Sequence, residues 1–82
     1  MTLGKKIKLM LELNKQTQWQ LAEYCHVSIP TANRWCNDKS IPNYKELAFI
    51  CMFLNCSLAD IYCFEGSPLY QLLEMYDKGL IK

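Results

Sequence analysis

The sequence predicts an all-α fold of six short helices, and three observations carry the prediction. Helix-start signals recur along the chain: Thr17 with Gln20, Asn43 with Glu46 and Ser57 with Asp60 each pair a capping residue with a polar side chain that can reach back to it. Apolar residues repeat at helical spacing and nowhere alternate as a half-buried strand would. The breaks between these stretches are short and made of turn residues, as in Asn37-Asp38-Lys39-Ser40 and Gly66-Ser67-Pro68.

The first helix is expected from about Leu3 to Asn14, capped by Thr2, with Ile7, Met10 and Leu11 inward and Leu9 and Leu13 widening that stripe. The second begins at Gln18 after the Thr17 capping box, turns Leu21, Ala22 and Cys25 inward and stops at His26. Small Ala22 lets the next helix approach closely. Ser28 caps the third, Ile29 to about Cys36, where Pro30 occupies the first turn and its missing N–H is no loss. Ala32, Trp35 and Cys36 should face inward, leaving Ile29, Pro30, Thr31, Asn33 and Arg34 as an outward stripe unlike an ordinary solvated face. Asn43 opens a fourth helix to about Leu54, and Asn55 can take the left-handed conformation that ends it. Ser57 opens a very short fifth helix through about Tyr62, and a sixth runs from Pro68 to Lys78, closing at Gly79.

Eighty-two residues at 51% apolar and 21% charged suit one compact domain and exclude a disordered chain. The longest apolar run, Leu47 to Leu54, falls far short of the roughly 20 residues of a membrane span. Lys5, Lys6 and Lys8 are followed by Glu12, Asn14 and Lys15, which suits a signal peptide poorly, so a cytoplasmic location is expected. The five cysteines are odd in number, form no Cys-x-x-Cys pair and lie among apolar neighbours, as buried hydrophobes do. Cys51, Cys56 and Cys63 with His26 match no compact zinc spacing, so no metal or cofactor is expected. The single histidine falls in a turn, no serine or cysteine has a neighbouring base, and no glycine-rich phosphate loop exists. Catalysis on a small-molecule substrate is therefore not expected. Net charge is only +1, yet residues 1–45 carry seven basic against three acidic side chains, and residues 46–82 two against five. Such polarity fits a module with one nucleic-acid-facing side, and equally an unevenly charged solvated surface.

The second and third helices, joined by a tight turn, make a helix-turn-helix unit. Thr17-Gln18-Trp19-Gln20-Leu21-Ala22-Glu23, Val27-Ser28, Arg34-Trp35-Cys36-Asn37, Pro42 and Ser57-Leu58-Ala59-Asp60-Ile61 resemble the lambda-repressor and Cro family, the xenobiotic-response-element type of regulator, over residues 3 to about 63. The resemblance implies a five-helix lambda-repressor-like DNA-binding domain over residues 1–66, with residues 67–82 as an additional C-terminal helix. It implies that Ile29, Pro30, Asn33 and Arg34 face bases, while Gln18, Ser28, Thr31, Asn37 and Lys39 contact phosphates. The chemistry agrees: Arg34 can donate two bonds to guanine or brace a phosphate, Asn33 can pair with adenine, and Ile29 and Pro30 suit a thymine methyl.

This chain departs from the family at several positions. His26 stands where glycine is common, Gln16 replaces an apolar residue, and Leu11 and Cys36 replace a buried Arg–Glu pair. Concerted loss of both charges is physically sensible, because losing one partner alone leaves a buried charge uncompensated. Trp19 should be exposed near the start of the second helix, over a sugar–phosphate stretch, in a partner's interface or flat on the protein itself.

The sixth helix presents Leu69, Leu72, Leu73 and Tyr76, and Leu9, Leu13, Phe49 and Met52 are apolar where the family is usually polar. Either the tail folds back over that surface or a homodimer uses it, which would set two recognition helices about 34 Å apart on a pseudo-palindromic operator. The expected function is sequence-specific binding of double-stranded DNA by a bacterial or phage transcriptional repressor. The alternative, motivated by the small net charge and the apolar Ile29-Pro30 start, is a protein-interaction module or antitoxin-type partner-binding protein on the same scaffold.

Overall fold

The computed structural model describes residues 2–61 and 68–80, and among them the chain forms α1 (Leu3–Leu13), α2 (Gln18–Cys25), α3 (Ile29–Cys36), α4 (Tyr44–Leu54), α5 (Leu58–Ile61) and α6 (Pro68–Asp77). The described residues hold no strand, and none of their helices is long and apolar enough to cross a membrane. α1 and α6 each stop one residue short of expectation, with Asn14 serving as the C-cap of α1. Tyr62, Cys63, Gly66 and Ser67 lie outside the described residues.

Helices α1 to α5 each begin where a side chain satisfies an orphan backbone donor. Thr2 Oγ1 accepts from Lys5 N at 3.2 Å, and Ser28 Oγ accepts from Thr31 N at 3.3 Å. Reciprocal capping boxes form at Thr17 with Gln20 and at Asn43 with Glu46. Ser57 and Asp60 bond each other's backbone N–H in the same way, at 2.9 and 3.1 Å.

The ends of α1, α2, α3, α4 and α6 share one device. Lys15, His26, Asp38, Asn55 and Gly79 all have φ between 55° and 76°. The residue after each donates its N–H back across the last turn, as Val27 N does to Ala22 O at 3.0 Å and Lys39 N to Arg34 O at 2.9 Å. His26, Asn55 and Gly79 were legible as such stops, whereas Lys15 and Asp38 were not.

Ile7, Leu21, Ile50, Ile61 and Leu73 are fully buried, so α1, α2, α4, α5 and α6 each give a side chain to one core, which α3 joins through Ala32 and Trp35. Every such side chain stabilises the fold by about 1.5–3 kcal/mol relative to exposure. Leu11 and Cys36 are both buried members of the core, so neither position brings a charge into it. Gln16 Oε1 is buried without a hydrogen-bond partner among the described residues, so the α1–α2 link carries an unsatisfied acceptor.

α6 packs against α1 within the same chain, burying Leu73 and placing Asp77 Oδ2 3.1 Å from Lys5 Nζ. Its cover is narrower than the tail's apolar stripe suggested. Leu9 is buried and Leu13, Phe49 and Tyr76 pack half-buried against the core, but Met52 remains 63% exposed and Leu72 41%. The side chain of Leu69 lies outside those described. The reason is direction: α6 runs beside α1, whereas Met52 lines a cleft with Tyr24, Asn55 and Ser57.

Candidate nucleic-acid interface

α2 and α3 form a closely packed pair joined by the turn at His26, Val27 and Ser28. Ala22 and Ala32 are buried at 2% and 0%, and this lack of bulk lets the helices approach until their polar surface residues meet. His26 supplies the left-handed turn with φ 58° and ψ 42°, a conformation that histidine tolerates better than most residues. The stop is local chemistry, and it aims α3.

The outward stripe of α3 is open. Ile29, Pro30, Asn33 and Arg34 are all exposed, and Thr31 is half-buried. Asn33 is held from the neighbouring helix: its Nδ2 donates to Gln18 Oε1 at 3.1 Å. That bond uses one N–H and leaves Asn33 with a carbonyl oxygen and a second N–H, the acceptor and donor that the major-groove edge of adenine requires. Gln18 takes part through its carbonyl oxygen, so this bond uses neither of its amide N–H donors. Sequence reasoning assigned these two residues separate roles and missed that they touch.

A second chain of bonds runs along the same helix. Ser28 Oγ and Thr31 Oγ1 are 2.8 Å apart, and Arg34 Nη2 donates to Thr31 Oγ1 at 3.2 Å. Ser28 and Thr31, read from sequence as phosphate contacts, thus first cap α3 and orient Arg34. Asn37 Nδ2 donates to Asn33 O at 2.9 Å, closing the C-terminal end of α3, and Lys39 stands exposed in the loop beyond.

That loop is anchored by a long-range contact that the sequence did not reveal. Asp38 Oδ1 accepts from Gly4 N at 3.0 Å and Oδ2 from Thr2 Oγ1 at 2.6 Å, so one carboxylate ties the start of α1 to the end of α3. Gly4 is required there, because a Cβ would come within 2.5 Å of Trp35 O and 2.7 Å of Asp38 Oδ1. The available signal was a glycine placed just inside a helix start, which marks a close approach when nothing local needs it.

The basic N-terminal half does not gather all its charge on this face. Lys6 is buried and donates from Nζ to Ile61 O at 3.0 Å, satisfying a carbonyl at the end of α5. Lys5 pairs with Asp77. The charge count along the sequence therefore overstates what α3 and its loops can present to an anion. The cysteines behave as core residues: burial pushes the Cys25 and Cys36 thiols up to about 11 and Cys56 up to about 12. Burial raises the Cys51 thiol as well, and no group of three or more candidate metal ligands forms among the described residues. Cys63 lies outside them.

Trp19 is 60% exposed. It borders a cleft of about 200 Å³ whose other walls are Ala22, Glu23, Val27 and Ile29.

A family model of the Cro/C1-type HTH DNA-binding domain matches residues 6–67 of the chain. No curated protein and no solved structure matches it.

Proposed function

The chain belongs to the Cro/C1-type helix-turn-helix DNA-binding family, and from that premise we propose that it is a sequence-specific repressor reading the major groove of double-stranded DNA with α3. One observation carries the residue assignment: Asn33 and Arg34 stand exposed on one face while Gln18 and Thr31 hold their side chains in place by hydrogen bonds. Side chains held before contact lose less freedom on binding. Ile29, Pro30, Asn33 and Arg34 then specify the sequence, whereas Gln18, Asn37 and Lys39 position the domain on phosphates. Ser28 and Thr31 assist through the bonds they make to α3.

The regulator works as a homodimer on a pseudo-palindromic operator in the cytoplasm of a bacterium or phage-infected cell. Leu72, Met75 and Leu80, at 41%, 41% and 67% exposure, support the dimer, since they leave apolar surface beside the buried Leu73. The domain acts by binding, without catalysis: Asp38, Glu46 and Asp60 serve as helix caps, and His26 serves as a turn.

Selection of bound sequences from a random duplex pool tests the reading. Enrichment of a two-fold motif, a steep fall in affinity with added salt, and a loss of about 1–3 kcal/mol in Arg34→Ala are the expected results. Binding that ignores salt would instead favour a protein-interaction module.

A further inference from the structure

We propose that Trp19 forms, with Val27 and Ile29, an apolar slot that receives the 5-methyl group of a thymine, making Trp19 a determinant of the sequence selected. The inference rests on the DNA-binding reading of α3 and deepens it.

Three observations converge on the slot. The indole is 60% exposed beside a half-buried Val27 and an Ile29 that is itself 47% exposed. With Ala22 and Glu23 they border an open cleft of about 200 Å³, room for a methyl group together with the edge of its base. A large aromatic side chain held over an unfilled apolar cleft is a surface prepared for contact.

The slot is also continuous with the candidate base-reading face. Ile29 belongs to both, being the first residue of α3 and a wall of the cleft. Trp19 directly follows Gln18, whose side chain holds Asn33. A duplex seated against Asn33 and Arg34 therefore runs beside the cleft mouth.

The chemistry of the walls selects the occupant. Glu23 lines the same cleft, and its carboxylate repels a phosphate, so the sugar–phosphate chain is disfavoured there. A base edge carries no net charge. In the major groove the thymine methyl is the one apolar group such an edge presents. Its fit between an indole face and two branched aliphatic side chains gives a preference for T over C that needs no hydrogen bond.

The test uses the intact chain and a duplex enriched from the random pool. Each thymine is replaced in turn by deoxyuridine, which keeps the base pair and removes only the methyl group. The wild-type protein should lose about fourfold in affinity at one such position, the effect of uncovering one methyl-sized apolar group. Trp19→Ala should bind more weakly, keep its dependence on salt, and show no loss at that same position, while Trp19→Phe should retain part of it. Thermal unfolding of both variants checks that the fold is kept, because an exposed side chain contributes little to it. A wild-type protein indifferent to every uracil substitution would overturn the slot, as would a Trp19→Ala variant with undiminished methyl dependence; the latter would give the cleft to a protein partner. Failure to bind any duplex in a salt-dependent manner would instead defeat the DNA reading itself.

Discussion

On its outer side α3 presents Asn33 and Arg34, exposed and braced by side-chain hydrogen bonds, whereas on its inner side Trp35, 2% exposed, brings a backbone carbonyl against Gly4 with no room for a methyl group. The outer bonds are solvent-exposed and each adds little to stability, so their value lies in direction. The inner contacts exclude water and tolerate almost no change of volume. One eight-residue helix thus separates recognition from stability across its two sides. The comparison predicts that inner-side and core substitutions lower stability while the binding of the folded fraction persists, and that outer-side substitutions do the reverse.

The largest expected effect comes from the helix that backs the assembly. Leu73→Ala should lower the unfolding free energy by about 2–5 kcal/mol in urea titration, since Leu73 is completely buried in the shared core. A protein unchanged by it would show that α6 does not support the fold from within the chain. Gly4→Ala is next, at about 1–3 kcal/mol, because the new Cβ meets backbone and a tied carboxylate that cannot swing aside. Its duplex affinity, corrected for the folded fraction, should stay near wild type. A large loss of affinity would break the separation, placing the Asp38 tie inside the recognition machinery.

Alkaline pH probes the inner side without mutation. Burial raises the Cys25 and Cys36 thiols to about 11, above the ordinary value of 9.0, so the folded state retains protons that the unfolded chain releases. Stability should therefore be at its full value below pH 9 and decline as the pH rises from there toward 11. Melting temperatures across that range should fall less steeply for Cys36→Ala than for the wild type. The smallest effect is a gain. Lys15 ends α1 at φ 56°, where a Cβ is unfavourable, and Lys15→Gly should stabilise the fold by about 0.5–1 kcal/mol in the same titration.

Much of the architecture was legible because it is local. Capping boxes, a first-turn proline and left-handed stops act between residues a few positions apart, so Thr17, Ser28, Pro30, Asn43 and Asn55 announce their elements without knowledge of the fold. The exposed stripe of α3 followed from the same periodicity. The hydrogen bond between Gln18 and Asn33 did not, because it depends on how closely two helices pack. Neither did the burial of Lys6 against Ile61 O, nor the tie from Asp38 to Gly4, each joining distant segments.

By itself the sequence determined where helices start and stop, which faces are apolar, and the family whose motif the chain carries. These depend on short-range hydrogen bonding and on a period set by helix geometry. Only the tertiary structure decided which charges are consumed inside the molecule, which amide groups brace one another, and that α6 lies along α1. Those outcomes are distances between elements, and such distances follow from the simultaneous packing of every side chain in the core.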